Sequence, residues 1–220
     1  MDYKKTVLKR DFTISDVISI HYFEYAVDFT FSGEIHDFWE FVYADKKELV
    51  ITSDSNEIKL PQGCLYLHKP MEFHNVRGDG VNAPNSVIVG FSSACPALYD
   101  IAGRVLTCTD SEKALMAGVI EEAREAFSTP LGDPYTKELI RKKDSLFGSE
   151  DLIAARLEAI FISLIRRYSK NTATAKPDRD THRAESPLRQ AEDAVVVDNS
   201  HMTPDEQMRV IYDLFDKACK

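Results

Sequence analysis

The residues with most chemistry in them lie in one stretch, Gly33-Glu34-Ile35-His36-Asp37-Phe38-Trp39-Glu40-Phe41-Val42-Tyr43. It is answered downstream by Leu60-Pro61-Gln62-Gly63 and by Pro70-Met71-Glu72-Phe73-His74-Asn75. Residues of one parity in a β-strand share a face. His36, Phe38, Glu40 and Val42 therefore point one way, and Ile35, Asp37, Trp39, Phe41 and Tyr43 the other. Ionisable groups on one face of an otherwise aromatic strand, with a second His on another strand, suit a pocket that holds a guest.

Such a pocket needs several strands to build it. Residues 17–25 are rich in β-branched and aromatic side chains, which strands prefer. Asp45-Lys46-Lys47 and Asp54-Ser55-Asn56 are polar turns between apolar segments at 38–43, 48–52 and 57–60, the spacing of a β-meander. Gly63 closes a turn before a strand at 64–68, and Arg77-Gly78-Asp79-Gly80 precedes an apolar strand at 86–91. Short strands with turn signals at this spacing predict a sandwich or barrel.

From about residue 110 the pattern is helical. One predicted helix starts from an N-cap at Asp110 or Ser111, has Glu112 in its first turn and stops near Phe127, before Pro130. A second follows Gly148, with Ser149 as its N-cap. Leu152, Ile153, Leu157, Ile160, Phe161, Leu164 and Ile165 recur in it at three- and four-residue steps, an amphipathic stripe that ends on Arg166, Arg167 and Lys170. Residues 171–192 are polar, with Pro177 and Pro187, and read as a linker or disordered tract. After the short apolar run Val195-Val196-Val197, Thr203 as cap and Pro204 at the first helical position open a last short helix.

A chain of 220 residues, 44% hydrophobic and 29% charged, makes one sizeable domain or two small ones. The net charge of -9 argues against a broad nucleic-acid surface. No apolar run is long enough to span a bilayer, and Met1-Asp2-Tyr3-Lys4-Lys5 lacks a signal peptide's apolar core, so a cytoplasmic location is expected. Cys64, Cys95, Cys108 and Cys219 lack the short spacing of a zinc knuckle or redox motif and are expected to be reduced thiols.

These residues together resemble a cupin, and specifically the N-terminal effector-binding domain of AraC-type transcription regulators. The first cupin motif is commonly His-x-His-x3-Glu; Glu34, His36 and Glu40 stand in its places, with Glu for the first His. The second motif ends in a His after a Pro-x-Gly turn; here Pro70-Met71-Glu72 leads to His74, with Glu where Gly is usual. His36-Asp37-Phe38-Trp39-Glu40, followed by Val42-Tyr43, Asp45-Lys46 and Glu48, is like the regulators, and so is His68-Lys69-Pro70-Met71-Glu72-Phe73-His74. The resemblance covers about 11–170. It implies a mainly β fold with C-terminal α-helices: a jelly-roll-like cupin barrel over 11–108, then a helical segment over 109–170 that packs on the barrel. Residues 171–220 follow as linker and short helix.

AraC-type regulators also carry two helix-turn-helix units, on the order of a hundred residues, each placing a second helix in the major groove. After Lys170 this sequence offers one plausible helix, so a sensor without its own DNA reader is expected, as a stand-alone domain, a truncated product or a piece of a longer regulator. Neither direct DNA binding nor membrane association is expected.

The resemblance also implies a convergence that spacing alone does not. His36, Glu40 and His74, with Glu34 as a fourth donor, form a two-His, carboxylate set suited to a divalent Zn, Mn, Fe or Ni ion, although sensors of this family usually bind their effectors without metal. The other reading keeps His36, Glu40 and His74 as polar anchors for an organic effector, or as a buried hydrogen-bond network. Tyr25, Phe38 and Phe73 would stack on a ring or sugar face, or else fill core. Glu72 would sit at the pocket mouth and favour a hydroxyl-rich or cationic ligand. Trp39 is expected outside the barrel against the helices, His21 and His68 bonded within the sheet, and Arg77 either on an acidic effector or exposed in a loop.

The expected effector is a small polar metabolite such as a carbohydrate. The helix over 150–168 is expected to join two copies in a homodimer, or else to pack wholly within the chain. The alternative from another class is a metal-dependent cupin enzyme, a dioxygenase or a sugar isomerase. A third reading is an interaction scaffold without a ligand.

Overall fold

The computed structural model describes residues 2–169. Its strands are β1 (Asp16–Glu24), β2 (Trp39–Lys46), β3 (Leu49–Ser53), β4 (Asn56–Leu60), β5 (Cys64–His68), β6 (His74–Arg77), β7 (Asn85–Ser92) and β8 (Val105–Thr107). The helices α1 (Asp110–Ala126) and α2 (Ser149–Tyr168) follow them. β1-β7-β2-β5-β8 form an antiparallel five-stranded sheet, and β4-β3-β6 a three-stranded one. Where one closed barrel was expected, the strands divide into these two sheets.

β2 is apolar on both faces because both are covered. Trp39, Phe41 and Tyr43 join Leu65, Leu67, Val89, Phe91 and the helical residues Met116, Leu157 and Phe161 in one buried cluster. Val42 and Ala44 point the other way, into a cluster with Ile51, Leu60, Tyr66, Val76 and Ile88 that draws on both sheets. The helices therefore cover one face of the large sheet and the small sheet covers the other. Trp39 lies on the helix side, its ring edge-on to Tyr99 at 4.8 Å, as its parity predicted.

β1 shows the same alternation after a register shift between Val17 and Ser19. Ile20 goes to the helix side, while Ser19, His21, Phe23 and Tyr25 face the space between the sheets. The β3–β4 hairpin closes through Asp54, whose φ of 51° is the left-handed conformation that Asp tolerates. β8 and a 3-10 turn at Pro96–Asp100 have no counterpart in the sequence reading. They are too short to leave a periodic pattern.

Both helix starts fall earlier than expected. The N-cap of α1 is Thr109, because a reciprocal cap needs the three-residue spacing to Glu112 that Asp110 and Ser111 lack. α2 follows Gly148, whose φ is 79°, and Ser149 is already helical. Glu112 also meets Arg167 at 2.6 Å, tying the two helices together.

The connector between the helices bears on the site. Ile140 N–H donates to Thr129 Oγ1 (2.7 Å), Thr129 Oγ1–H donates to the Glu138 carbonyl (3.1 Å), and Ser128 N–H donates to the Ile140 carbonyl (2.8 Å). These bonds pinch residues 130–139 into a loop, which Tyr22 N–H holds against β1 by donating to the Leu131 carbonyl at 3.0 Å.

Cys64, Cys95 and Cys108 are free thiols. Among the described residues no helix is long and apolar enough to cross a membrane. Cys219, the polar tract at 171–192, the Val195 run and the helix expected from Thr203 lie outside the described residues.

Candidate functional site

β2 begins at Trp39, so His36 and Phe38 precede the strand on which Glu40 stands. A loop, tied by main-chain bonds, brings them over it. Glu34 and His74 exchange N–H···O bonds of 2.9 and 3.1 Å, and Met71 N–H donates to the His36 carbonyl at 2.7 Å. Gly33 makes the approach possible: at φ 94° it lies so close to Phe73 that a Cβ would sit 2.5 Å from the ring.

Four side chains converge there. The donor atoms of Glu34, His36, Glu40 and His74 all lie within 4.8 Å of one another. His36 Nε2 is 3.5 Å and His74 Nε2 3.2 Å from the two oxygens of Glu40. Each imidazole is fixed from behind: His36 Nδ1 lies 3.1 Å from the Phe38 carbonyl, and His74 Nδ1 lies 2.9 Å from that of Glu72. A carbonyl only accepts, so both Nδ1 atoms carry protons and both Nε2 atoms face inward. Those two Nε2 atoms are buried and reach no partner in hydrogen-bonding geometry. Each instead faces a Glu40 oxygen off the hydrogen-bond axis, so a guest or ion at this point would gain a directed bond where Glu40 now supplies a charge contact.

Electrostatics sharpens the picture. Burial works against the Glu40 carboxylate, 6% exposed, but His36 and His74 outweigh it and hold its pKa down at about 2. The His74 ring moves the other way: burial disfavours its charge, and Glu40 more than compensates, raising its pKa. Glu34, on the rim, is pushed up by desolvation and by the Glu40 charge.

The set fits a divalent transition metal. Donors bonded at about 2.0–2.2 Å are no more than ~4.4 Å apart across an ion, so a few tenths of an ångström of side-chain movement closes the widest gap. Two carboxylates balance a 2+ charge, and backbone carbonyls behind each His supply the outer support such ligands use.

The four groups line a cavity of about 340 Å³ between the sheets. Of the other expected site residues, Tyr25 and Phe38 line it and Phe73 does not. Phe38 stacks on the His36 ring at 3.6 Å between centroids. The Tyr25 hydroxyl accepts from Ser86 at 3.0 Å, which fixes the ring against the cavity wall. Glu72, expected at the mouth, does not line the cavity either. It is 6% exposed, and its Oε1 accepts from Ser53 Oγ (2.6 Å) and from His68 Nδ1 (2.8 Å). These bonds outweigh the effect of burial and bring its pKa to about 2. Its role is to fix His68, which stacks on His74 at 4.5 Å. Arg77 is held by Glu57 at 2.6 Å.

Several lining residues escaped the sequence reading. His21, Phe23, Phe29, Phe31 and Lys137 all face the cavity. The odd-numbered run Ser19, His21, Phe23, Tyr25 has the same mixture of polar and aromatic residues on one face that marked β2, and it was the available signal. Lys137 has none, since it arrives on the helix connector.

Gly90 bounds the same corner. A Cβ there would lie 2.7 Å from Phe38 and 2.9 Å from Ser19 Oγ. Gly90→Ala is expected to cost about 1–3 kcal/mol by overpacking and to displace the Phe38–His36 stack. Thermal unfolding and the His36 imidazole NMR signals check it, and an unmoved His36 signal would refute the second part.

No family model matches this sequence. Among curated proteins, cytidylate kinase of Parabacteroides distasonis is 28% identical over 118 residues, 52% of this chain and 49% of that protein. Cytidylate kinase of Flavobacterium psychrophilum is 51% identical over 35 residues, 16% of each chain. The chain thus spans half or less of the length of these curated relatives. Among solved structures, a cupin superfamily protein from Desulfitobacterium hafniense is 21% identical at a TM-score of 0.32, over 35% of this chain and 69% of that one. Apo ToxT from Vibrio cholerae is 9% identical at 0.47, over 72% and 59%. A cupin protein from Bacteroides fragilis is 16% identical at 0.31, over 44% and 88%. At these scores the likenesses carry no argument, and the architecture rests on the strands described above.

Proposed function

We propose that this chain is a small-molecule-binding domain of cupin type, the effector sensor of an AraC-like regulator. Its inter-sheet cavity takes a compact, hydroxyl-bearing metabolite. One observation carries the reading: two backbone-fixed imidazoles and a rim carboxylate converge on a buried carboxylate in a cavity otherwise walled largely by aromatic rings. Rings for stacking and a few convergent polar groups are what a small organic guest requires.

Signalling would be a population shift. The connector that walls the cavity also joins α1 to α2, so a guest that binds two connector positions unequally biases the helices. The output passes to a second copy on the outward side of α2, where Leu152 is 44% exposed. Sedimentation of the wild type against Leu152→Asp tests that interface.

Thermal shift against sugars, sugar acids and divalent ions tests the binding reading. A guest at a hundred times its Kd stabilises the fold by about 2.7 kcal/mol. His74→Ala is expected to keep the fold and weaken that guest by tenfold or more; an unchanged affinity removes His74 from the site.

The donor set favours a second reading, a metal-dependent enzyme. Glu34, His36, Glu40 and His74 would hold a divalent ion that supplies Lewis acidity. Stoichiometric transition metal in the purified protein, removed by chelator together with a catalysed reaction, would favour this reading over the sensor.

A further inference from the structure

The cavity between the sheets is electron-rich along most of its wall. The carboxylates of Glu34 and Glu40 stand at one end, among donor atoms that lie within 4.8 Å of one another. Glu40 is engaged by the two imidazoles, whereas the Glu34 side chain has no hydrogen bond or ion pair among the described residues. His21, Phe23, Tyr25 and Phe29 continue the wall as a chain of rings with centroids 4.8, 5.4 and 4.3 Å apart. Ring faces attract a cation through their quadrupole. The lining buries no lysine or arginine. Its single one, Lys137, is exposed on the connector and also borders an outer groove with Glu138 and Glu150.

His21 marks the far end. It is 8% exposed, and burial lowers its pKa against the pull of Glu40, the Leu131 carbonyl and Asp133, so the ring is neutral. A neutral imidazole has one N–H, and here it goes to the Leu131 carbonyl. Nδ1 is therefore a lone pair, buried without a partner, that only a donor can fill. The sheet register fixes where this ring stands. Ser19 and Glu40 both pair with Gly90, and His21 and Val42 both pair with Ile88. β1 and β2 thus flank β7, and His21 faces the same space as Glu40 from two strand spacings, about 10 Å, away. A guest of one ring with a short arm bridges such a gap, and about 340 Å³ holds it.

An unfilled carboxylate at one end, a lone pair at the other and aromatic rings between them all call for a guest that donates. We propose that this guest is a small hydroxyl-bearing amine. Glu34 and Glu40 hold its ammonium, its body lies among the rings of Phe23, Tyr25 and Phe29, and a hydroxyl at its far end donates to His21 Nδ1. This rests on the cavity reading above and narrows it to a ligand class. A charge-assisted hydrogen bond in place of a neutral one changes affinity by about ten- to a hundredfold.

The test titrates matched pairs that differ only by ammonium against hydroxyl, glucosamine with glucose and tyramine with 4-hydroxyphenethyl alcohol, into the full chain. The buffer contains a chelator, because a divalent ion would compete for Glu34 and Glu40, and the imidazole NMR signals of His21 and His74 report binding. The amine of at least one pair is expected to bind tenfold or more tightly than its alcohol and to move both signals. Glu34→Gln should erase that preference by weakening the amine, and Glu34→Asp should retain part of it. Equal affinity for amine and alcohol, or a preference surviving in Glu34→Gln, overturns the amine assignment and leaves the cavity reading standing. An amine that moves the His74 signal alone removes His21 from the assignment. If no member of either pair perturbs either imidazole, the cavity reading falls and the amine falls with it.

Discussion

Glu40→Gln is expected to shift the pH range in which the fold is most stable and to abolish whatever divalent-metal binding the four converging donors support. The carboxylate lies between two imidazoles, 3.5 Å from His36 Nε2 and 3.2 Å from His74 Nε2, and is 6% exposed. Gln keeps its shape and removes its charge. For a metal, loss of a direct ligand should exceed the roughly 10–100-fold loss that follows removal of an outer partner; titration calorimetry with Zn, Mn or Ni reads it.

The effect on stability has a defined pH window. The Glu40 pKa falls from 4.5 to about 2, so its contribution is complete above pH 4.5 and disappears as pH drops toward 2. The His74 pKa is raised above 6.5, so its contribution is complete below pH 6.5 and disappears as pH rises through the folded-state value. The wild type should therefore exceed Glu40→Gln most between pH 4.5 and 6.5, by a few kcal/mol at most, because His74 can shed its proton when the partner charge is gone. Urea unfolding at pH 5.5 and 8.5 measures this. A difference equal at both values would mean that the imidazole–carboxylate pair does not contribute as charge.

How much of this was legible in the sequence depended on the range of the information. Strand positions and the two faces of β2 follow from alternation, which is local, and residues 64–68 were placed to the residue. The pairing of Glu40 with His36 and His74 came from motif resemblance, because no local pattern says that a loop before β2 will fold over it. Glu72 shows what such resemblance misses. Its motif position implies the pocket mouth, but the buried His68 needs an acceptor, and Ser53 of β3 supplies a further hydrogen bond to hold the carboxylate inward. Lys137 was illegible for a different reason. It reaches the cavity through the pinch at Thr129 and Ile140, a tertiary arrangement of polar residues with no periodicity to betray it.

The helical stripe was read correctly as a stripe, and its destination makes Phe161→Ala the most destabilising single change expected. Phe161 is fully buried and touches three rings from different parts of the chain: Phe12 of the N-terminal arm at 5.9 Å, Phe41 of β2 at 5.8 Å and Phe91 of β7 at 4.8 Å. It is the point at which α2 grips the large sheet. Truncation removes the transfer energy of the ring and leaves a cavity that rigid neighbours on two central strands cannot fill, a cost of about 3–5 kcal/mol. Leu152→Ala, on the same helix but 44% exposed, should cost no more than about 0.5 kcal/mol in the monomer. Denaturant unfolding of the two variants at one protein concentration separates them. Because α2 covers the face of the sheet opposite the cavity, Phe161→Ala should also loosen α1 and the connector. Hydrogen exchange at Tyr22 and Ile140, whose N–H groups tie down and pinch that connector, should then accelerate more than exchange in the β3–β4 hairpin. Uniform acceleration across both sheets would mean that the helices and the small sheet unfold as one unit, and that the connector cannot carry a signal separately from the core.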